Sequence, residues 1–225
     1  MIRALLFDFD GLLVDTESPA YQAWVDIYRA YGHELPLERW SAAIGTLDGF
    51  EPLDDLEALL GRPLERDRID AKRRAVEFAQ ADLEDLRDGV ADYLAEAERL
   101  RLARAIVSSS WRWWIERHLE RLDLLEGWDA VVAADGDVTR AKPLPTLYLQ
   151  ALELLQIDAS EAIAFEDSPN GVTAANAAGV YCVAVPNPVT ASLDLAHADL
   201  LLGSLEEVPL AELLRRVEQE QASPR

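Results

Sequence analysis

Residues 5–17 read LLFDFDGLLVDTE, an apolar run that meets Asp8 and Asp10 on either side of Phe9, turns at Gly11 and runs on to Asp15 and Glu17. The run is continuous rather than alternating in polarity, which is the pattern of a strand buried on both faces. ALLFD (4–8) is therefore read as a strand, with two acids at its mouth. Charges in such a place are costly unless something cationic compensates them. The rest of the chain has to supply that compensation.

Outward from this strand, further apolar runs of strand length stand at RAIVSS (104–109), DAVVAAD (129–135), AIAFED (162–167) and VYCVAV (180–185), with a weaker one at DLLLG (199–203). Helical stretches separate them: ADYLAEAERL, WWIERHLERL, TLYLQALELL and VTAANAA. Strands alternating with helices predict an α/β fold, a mostly parallel sheet with helices on both faces. From about Thr16 to Leu86 the rhythm breaks. Ser18-Pro19 reads as an N-cap followed by proline in the first turn, and Tyr21, Trp24, Val25, Tyr28 and Tyr31 recur at helical spacing until Gly32. PLDDLEALLG and DAKRRAVEFAQADLEDL are also helical, with a solvated charged face along ERDRIDAKRR. The expected organisation is a Rossmann-like three-layer core from residues 1–15 and 89–225, with a helical cap inserted at 16–88 and hinged near Thr16 and Asp85–Asp88. The terminal EQEQASPR is expected to fray.

The 225 residues suit one large domain or one domain with a smaller insert. The 42 acidic residues against 21 basic ones give a formal charge of −21, which argues against nucleic acid or an anionic membrane as partner. An anionic small molecule remains compatible where a buried cation reverses the sign locally. Cys182 is the single cysteine, so no internal disulfide is expected and a reducing compartment is favoured. No apolar run reaches the roughly 18 residues of a spanning helix, and the first residues lack a signal-peptide pattern. A cytoplasmic monomer is expected.

Open parallel sheets bind ligands beyond the carboxyl ends of their strands. There the sequence puts Asp8 and Asp10, then Ser108, Ser109 and Ser110, then Glu166 and Asp167, with Lys142 in the loop before a helix. Carboxylates gathered without histidine or thiolate suit a hard cation, and Mg²⁺ shares its sphere between carboxylates and a substrate phosphate. Lys142 is one of only two lysines among nineteen arginines. A compact ammonium can serve a carboxylate and a phosphate oxygen together, which the planar guanidinium does less well.

DFDGLLVDTE, IVSSS, RAKPLP and FEDSPNG, in this order, resemble the four motifs of the haloacid dehalogenase superfamily, in its phosphatase branch with a helical cap. The nearest groups suggested are the sugar-phosphate phosphatases and the beta-phosphoglucomutase-like proteins. The resemblance implies Asp8 as nucleophile, forming an aspartyl-phosphate, and Asp10 as general acid and then base. It implies Ser108, Ser109 and Lys142 as phosphate ligands. Asp8, the backbone carbonyl of Asp10, Glu166 and Asp167 would hold Mg²⁺. Dehalogenases of this superfamily lack the second acid, so the presence of Asp10 disfavours dehalogenation.

The implied activity is a Mg²⁺-dependent phosphatase for a small phosphorylated metabolite, the alternative being a phosphoglucomutase-like mutase. The mutases carry an arginine in the first cap loop and a lysine shortly after the motif-two serine. Here the loop reads IGTLDGF, with Thr46, Leu47 and Asp48, and Trp111 stands in place of that lysine. These departures favour a hydrolase for a substrate with one phosphate. Trp111, Trp113 and Trp114 are expected to pack in the core or at the cap interface. His33, His118 and His197 have no ligand-like spacing and receive no role, and Ser110 is left outside the site.

Overall fold

The computed structural model describes residues 1–41, 44 and 50–222. Six strands form one parallel sheet: β1 (Ala4–Phe7), β2 (Ala103–Ser108), β3 (Ala130–Ala133), β4 (Ala162–Glu166), β5 (Tyr181–Ala184) and β6 (Leu200–Leu201), in the order β3-β2-β1-β4-β5-β6. β1 is central, with Phe7 in register with Ile106 on one side and Phe165 on the other. The Rossmann-like α/β fold expected from the strand and helix rhythm is the fold observed.

Side chains alternate across the sheet, so each strand serves two apolar layers. Leu5, Phe7, Ile106, Ile163 and Phe165 face one layer, where they meet α5 (Val90–Leu100), α6 (Arg112–Arg121) and α9 (Leu210–Ala222). There Phe7 stacks on Phe165 with ring centroids 4.9 Å apart, and Tyr93 meets Phe165 edge-on at 5.6 Å. The opposite face presents Ala4, Leu6, Ala105, Val107, Ala162 and Ala164 to α7 (Thr146–Leu155) and α8 (Pro169–Ala177). Its strand side chains are mostly small, so helix backbones can approach closely.

Between β1 and α5 lie α1 (Glu17–Ala30), α2 (Leu37–Ser41), α3 (Pro52–Leu60) and α4 (Arg66–Ala81), with an apolar cluster of their own around Trp24, Tyr28, Leu53, Leu56 and Ile69. Tyr28 donates its hydroxyl to the carbonyl of Pro52 at 2.9 Å and shares a 2.8 Å hydrogen bond with Asp55. The chain leaves and re-enters the sheet layers side by side: Val14 bridges Leu86, and the Arg87 amide donates to the Leu13 carbonyl at 2.9 Å. The Arg87 guanidinium clamps this crossing by donating to the carbonyls of Gly11, Val185 and Pro186.

Two local expectations are corrected. Helix α1 begins at Glu17 with Thr16 at its N-cap, so Ser18 lies inside the first turn. The Asp15 carboxylate accepts both the amide and the hydroxyl of Ser18, at 3.0 and 2.7 Å. At the C-terminus, most of the stretch expected to fray is helix, which continues to Ala222. Leu210, Leu213 and Val217 bury against the sheet, Glu218 accepts the Ile2 amide and Glu220 accepts the Tyr181 hydroxyl. The alternation of acid and amide hid an amphipathic helix whose apolar stripe begins upstream. Ser223–Arg225 lie outside the described residues.

Candidate active site

Asp8 follows β1 and Asp167 follows β4, while Ser108 and Glu166 end β2 and β4, so all four leave the sheet at its carboxyl edge. The Asp8 amide donates to the Phe165 carbonyl at 2.9 Å, which fixes the first acid against the second pair. Asp8, Glu166 and Asp167 are buried, with carboxylate oxygens within 4.8 Å of one another. Lys142, 1% exposed, places Nζ 2.5 Å from Asp8 Oδ1 and 2.6 Å from Glu166 Oε1. The Tyr148 hydroxyl donates to the same Glu166 oxygen.

The electrostatics are unbalanced, since three buried carboxylates face a single buried ammonium. Burial pushes the Asp8 carboxyl up to about 8 against the pull of Lys142. Asp167 is raised well above the ordinary range, by burial first and then by the charges of Asp8 and Glu166. Burial alone would lower Lys142, but Asp8 and Glu166 hold its ammonium above the usual lysine range. Glu166 Oε2 is buried with no hydrogen-bond partner among the described residues. An orphaned carboxylate oxygen within an all-oxygen donor set fits a hard divalent cation.

Close packing maintains this arrangement. Gly11 sits at φ +81°, and a Cβ there would run into the Asn187 amide and the Asp167 carboxylate. Asn187 donates to Asp167 Oδ2 at 2.7 Å while its own Oδ1 accepts the amides of Val189 and Thr190. Sequence reasoning missed Asn187. Its signal was position alone, a polar residue just past the carboxyl end of VYCVAV.

The Asp10 carboxylate is not part of the three-acid group. Thr16 Oγ1 and Trp114 Nε1 donate to its Oδ1 at 2.7 and 2.8 Å, and Ser110 Oγ lies 2.5 Å from its Oδ2. Ser108 Oγ is 3.4 Å from that Oδ2 and accepts the Ser110 amide at 3.0 Å. The Ser109 hydroxyl accepts the Lys142 amide at 3.1 Å. So Ser110, which sequence reasoning left out, reaches Asp10, and Ser109 supports the lysine loop. Trp114 was expected to pack, which it does against Phe78 and His118, with a donor bond to Asp10 besides. His118 is buried between Phe9 and Trp114, where burial lowers its pKa.

Beside Asp10 opens a cleft of about 270 Å³ between the carboxyl edge and the inserted helices, lined among others by Glu17, Arg73, Phe78, Ser110 and Trp111. Burial, followed by the charges of Asp10 and Asp8, pushes Glu17 up to about 8. Trp111 and Trp113 are half exposed there, contrary to a core position, although Trp113 meets Phe78 with centroids 6.0 Å apart. Thr46, Leu47 and Asp48 of the first inserted loop lie outside the described residues. A larger open groove of about 1410 Å³ lies at the amino edge near Tyr181 and Gln219 and has none of these carboxylates.

Residues 5–185 match the haloacid dehalogenase-like hydrolase family. The chain is 41% identical to the putative phosphatase YhcW of Bacillus subtilis, over 95% of this chain and 97% of that protein. It is 32% identical to validoxylamine A 7'-phosphate phosphatase of Streptomyces hygroscopicus subsp. limoneus, over 92% and 96%. A crystal structure of a CbbY variant from Rhodobacter sphaeroides, in complex with xylulose-(1,5)bisphosphate, superposes with a TM-score of 0.75 at 30% identity, covering 95% of this chain and 99% of that one. The chain belongs to the haloacid dehalogenase-like hydrolases, and it is a phosphomonoesterase-type hydrolase of that family.

Proposed function

We propose that the chain is a Mg²⁺-dependent phosphatase that hydrolyses a small sugar-phosphate-like monoester through an aspartyl-phosphate on Asp8. The observation that carries this reading is the excess of buried carboxylate over ammonium at the carboxyl edge, beside an orphaned Glu166 oxygen. In this reading the carboxylates of Asp8, Glu166 and Asp167 and the backbone carbonyl of Asp10 hold Mg²⁺. The bound metal supplies charge neutralisation for the nucleophile and the phosphoryl oxygens.

The chain's own groups do the rest. Asp8 attacks phosphorus in line with the leaving alkoxide, and the P–O ester bond breaks as the Asp8–phosphorus bond forms. Asp10, oriented by Thr16 and Trp114, gives its proton to the leaving oxygen. It then takes a proton from the water that cleaves the aspartyl-phosphate. Ser108 donates to a phosphoryl oxygen, and Lys142 neutralises that oxygen together with Asp8, while Ser109 holds the Lys142 loop. Residues 16–88 act as a cap on the core of 1–15 and 89–225, closing over the cleft and excluding water. The names of the relatives, a validoxylamine phosphate phosphatase among them, support a phosphorylated carbohydrate-like substrate. Cys182, a buried free thiol, suits a cytoplasmic setting.

The test is release of inorganic phosphate from a panel of small phosphomonoesters. Release with Mg²⁺, its loss in EDTA and its loss in Asp8→Asn are expected. Full activity after metal removal, or in the Asp8→Asn protein, overturns the reading.

A further inference from the structure

Trp111 presents a large apolar ring, 49% exposed, to the cleft that holds Asp10 and Ser110. Its position is built. A Cβ on Gly136, at φ +81°, would lie 2.5 Å from Trp111 Cζ2 and 2.6 Å from Cη2, so one edge of the indole rests on a site that admits only glycine. The neighbouring Asp135 donates its amide to the Ser110 carbonyl at 3.3 Å and accepts the Arg112 amide on its carboxylate at 2.7 Å. The loop after β3 thus grips the chain on both sides of Trp111. A rigid aromatic face costs little entropy on binding, because its ordering is already done.

The charges around the cleft are also selective. The Glu17 side chain has no hydrogen-bond or ion-pair partner among the described residues, and the charges bearing on it most strongly are acidic: Asp10, Asp8 and Glu77. The two arginines nearby are taken, Arg73 by Asp70 and Glu77, and Arg74 by Asp70 at 2.8 Å. A second phosphate in this cleft would meet carboxyl groups without an uncommitted guanidinium among the described residues. A polyol ring has what the lining asks for: an apolar face of C–H groups and hydroxyls that donate to a carboxylate.

We infer that Trp111 selects the leaving group, receiving the apolar face of a ring-shaped polyol that carries one phosphate, while Glu17 accepts its hydroxyls. This rests on the phosphatase reading of the same site.

The experiment compares kcat/KM for a pyranose monophosphate (glucose 6-phosphate), its bisphosphate (glucose 1,6-bisphosphate) and an acyclic monoester (ethyl phosphate), with Mg²⁺ present. The native protein prefers the pyranose monophosphate to the bisphosphate. Trp111→Ala lowers the ring-to-acyclic ratio by about tenfold or more, mainly through KM, and Trp111→Phe restores most of it. Glu17→Leu lowers the same ratio, and Trp111→Lys shifts preference toward the bisphosphate. A ratio unmoved by Trp111→Ala, or a native preference for the bisphosphate or for ethyl phosphate, overturns the inference while leaving the phosphatase reading intact. Release from other members of the phosphomonoester panel but not from the pyranose monophosphate overturns the inference alone, and release from no member removes both.

Discussion

Trp114 donates its indole N–H to Oδ1 of Asp10 at 2.8 Å, while Phe78 of the inserted helix α4 lies against the same indole with ring centroids 4.9 Å apart. One side chain therefore touches both the group proposed to move the proton and the helices proposed to close over the substrate. A shift of α4 changes the packing of the indole, and with it the bond that restrains Asp10.

Replacing Trp114 by Phe separates the two contacts. The ring remains against Phe78 and His118, but the donor to Asp10 is lost. A hydrogen bond to a charged group contributes about 1.5–3 kcal/mol. Thr16 and Ser110 still hold the carboxylate, so the lower end applies, and kcat should fall about tenfold with KM little changed. Steady-state kinetics on any accepted substrate decide it. An unaltered kcat would reduce Trp114 to a packing residue.

Lys142 is the one ammonium among the buried carboxylates of Asp8 and Glu166. Lys142→Met keeps much of the volume and removes the charge. Breaking a buried pair on one side costs about 3–5 kcal/mol, because the remaining charge is uncompensated. In metal-free buffer, denaturant unfolding should show this loss at pH 8 and a smaller one at pH 5, where the carboxyls can take up protons. Equal stability to the native protein at pH 8 would contradict an ionised Lys142–Asp8 pair.

Most of the fold was legible because the strands are buried on both faces and so read as continuous apolar runs, ALLFD and AIAFED most clearly. The positions past their carboxyl ends were legible for the same reason: once the strands are placed, Asp8, Ser108, Glu166 and Asp167 fall on one edge. The direction of a side chain within a loop was not. Ser108, Ser109 and Ser110 are chemically equal in sequence, and only the bonds of the Lys142 amide and the Asp10 carboxylate tell the last two apart. Trp114 shows a second limit. A helical i,i+3 aromatic pair announces packing, but the indole nitrogen adds a polar end whose partner lies over a hundred residues away. Helix α9 was missed because its acid and amide tail outweighed the stripe of Leu210, Leu213 and Val217.

The acid cluster also sets a pH dependence. Burial raises Asp8 and Glu17 to about 8, and raises Asp167, so in the metal-free protein these groups bind protons more tightly folded than unfolded. The folded state then holds more protons than the unfolded state between about pH 4 and 8, and stability falls as pH rises through that window. Mg²⁺ competes with those protons, so its affinity should increase with pH. At a hundred times its Kd it adds about 2.7 kcal/mol. Thermal unfolding from pH 5 to 8 should show Tm declining in EDTA and recovering with Mg²⁺ most at the alkaline end. A metal-free Tm that climbs across this range would count against buried, mutually repelling carboxyls.

Gly171 provides a test in which two physical effects oppose each other. It lies in the first turn of α8, where alanine ordinarily gains about 1 kcal/mol over glycine. Here, however, a Cβ would land on the Glu166 carboxylate. That carboxylate cannot swing aside freely, because its Oε1 is held by Lys142 and Tyr148. Overpacking a close-packed interior costs about 1–3 kcal/mol, so the clash should outweigh the propensity gain and Gly171→Ala should be destabilised. The displaced oxygen is the orphaned Oε2 proposed to meet Mg²⁺, so the thermal shift on adding Mg²⁺ should shrink together with phosphate release. If Gly171→Ala were instead more stable and bound Mg²⁺ as the native protein does, the glycine would be there for the helix alone, and Glu166 would have to be struck from the metal ligands.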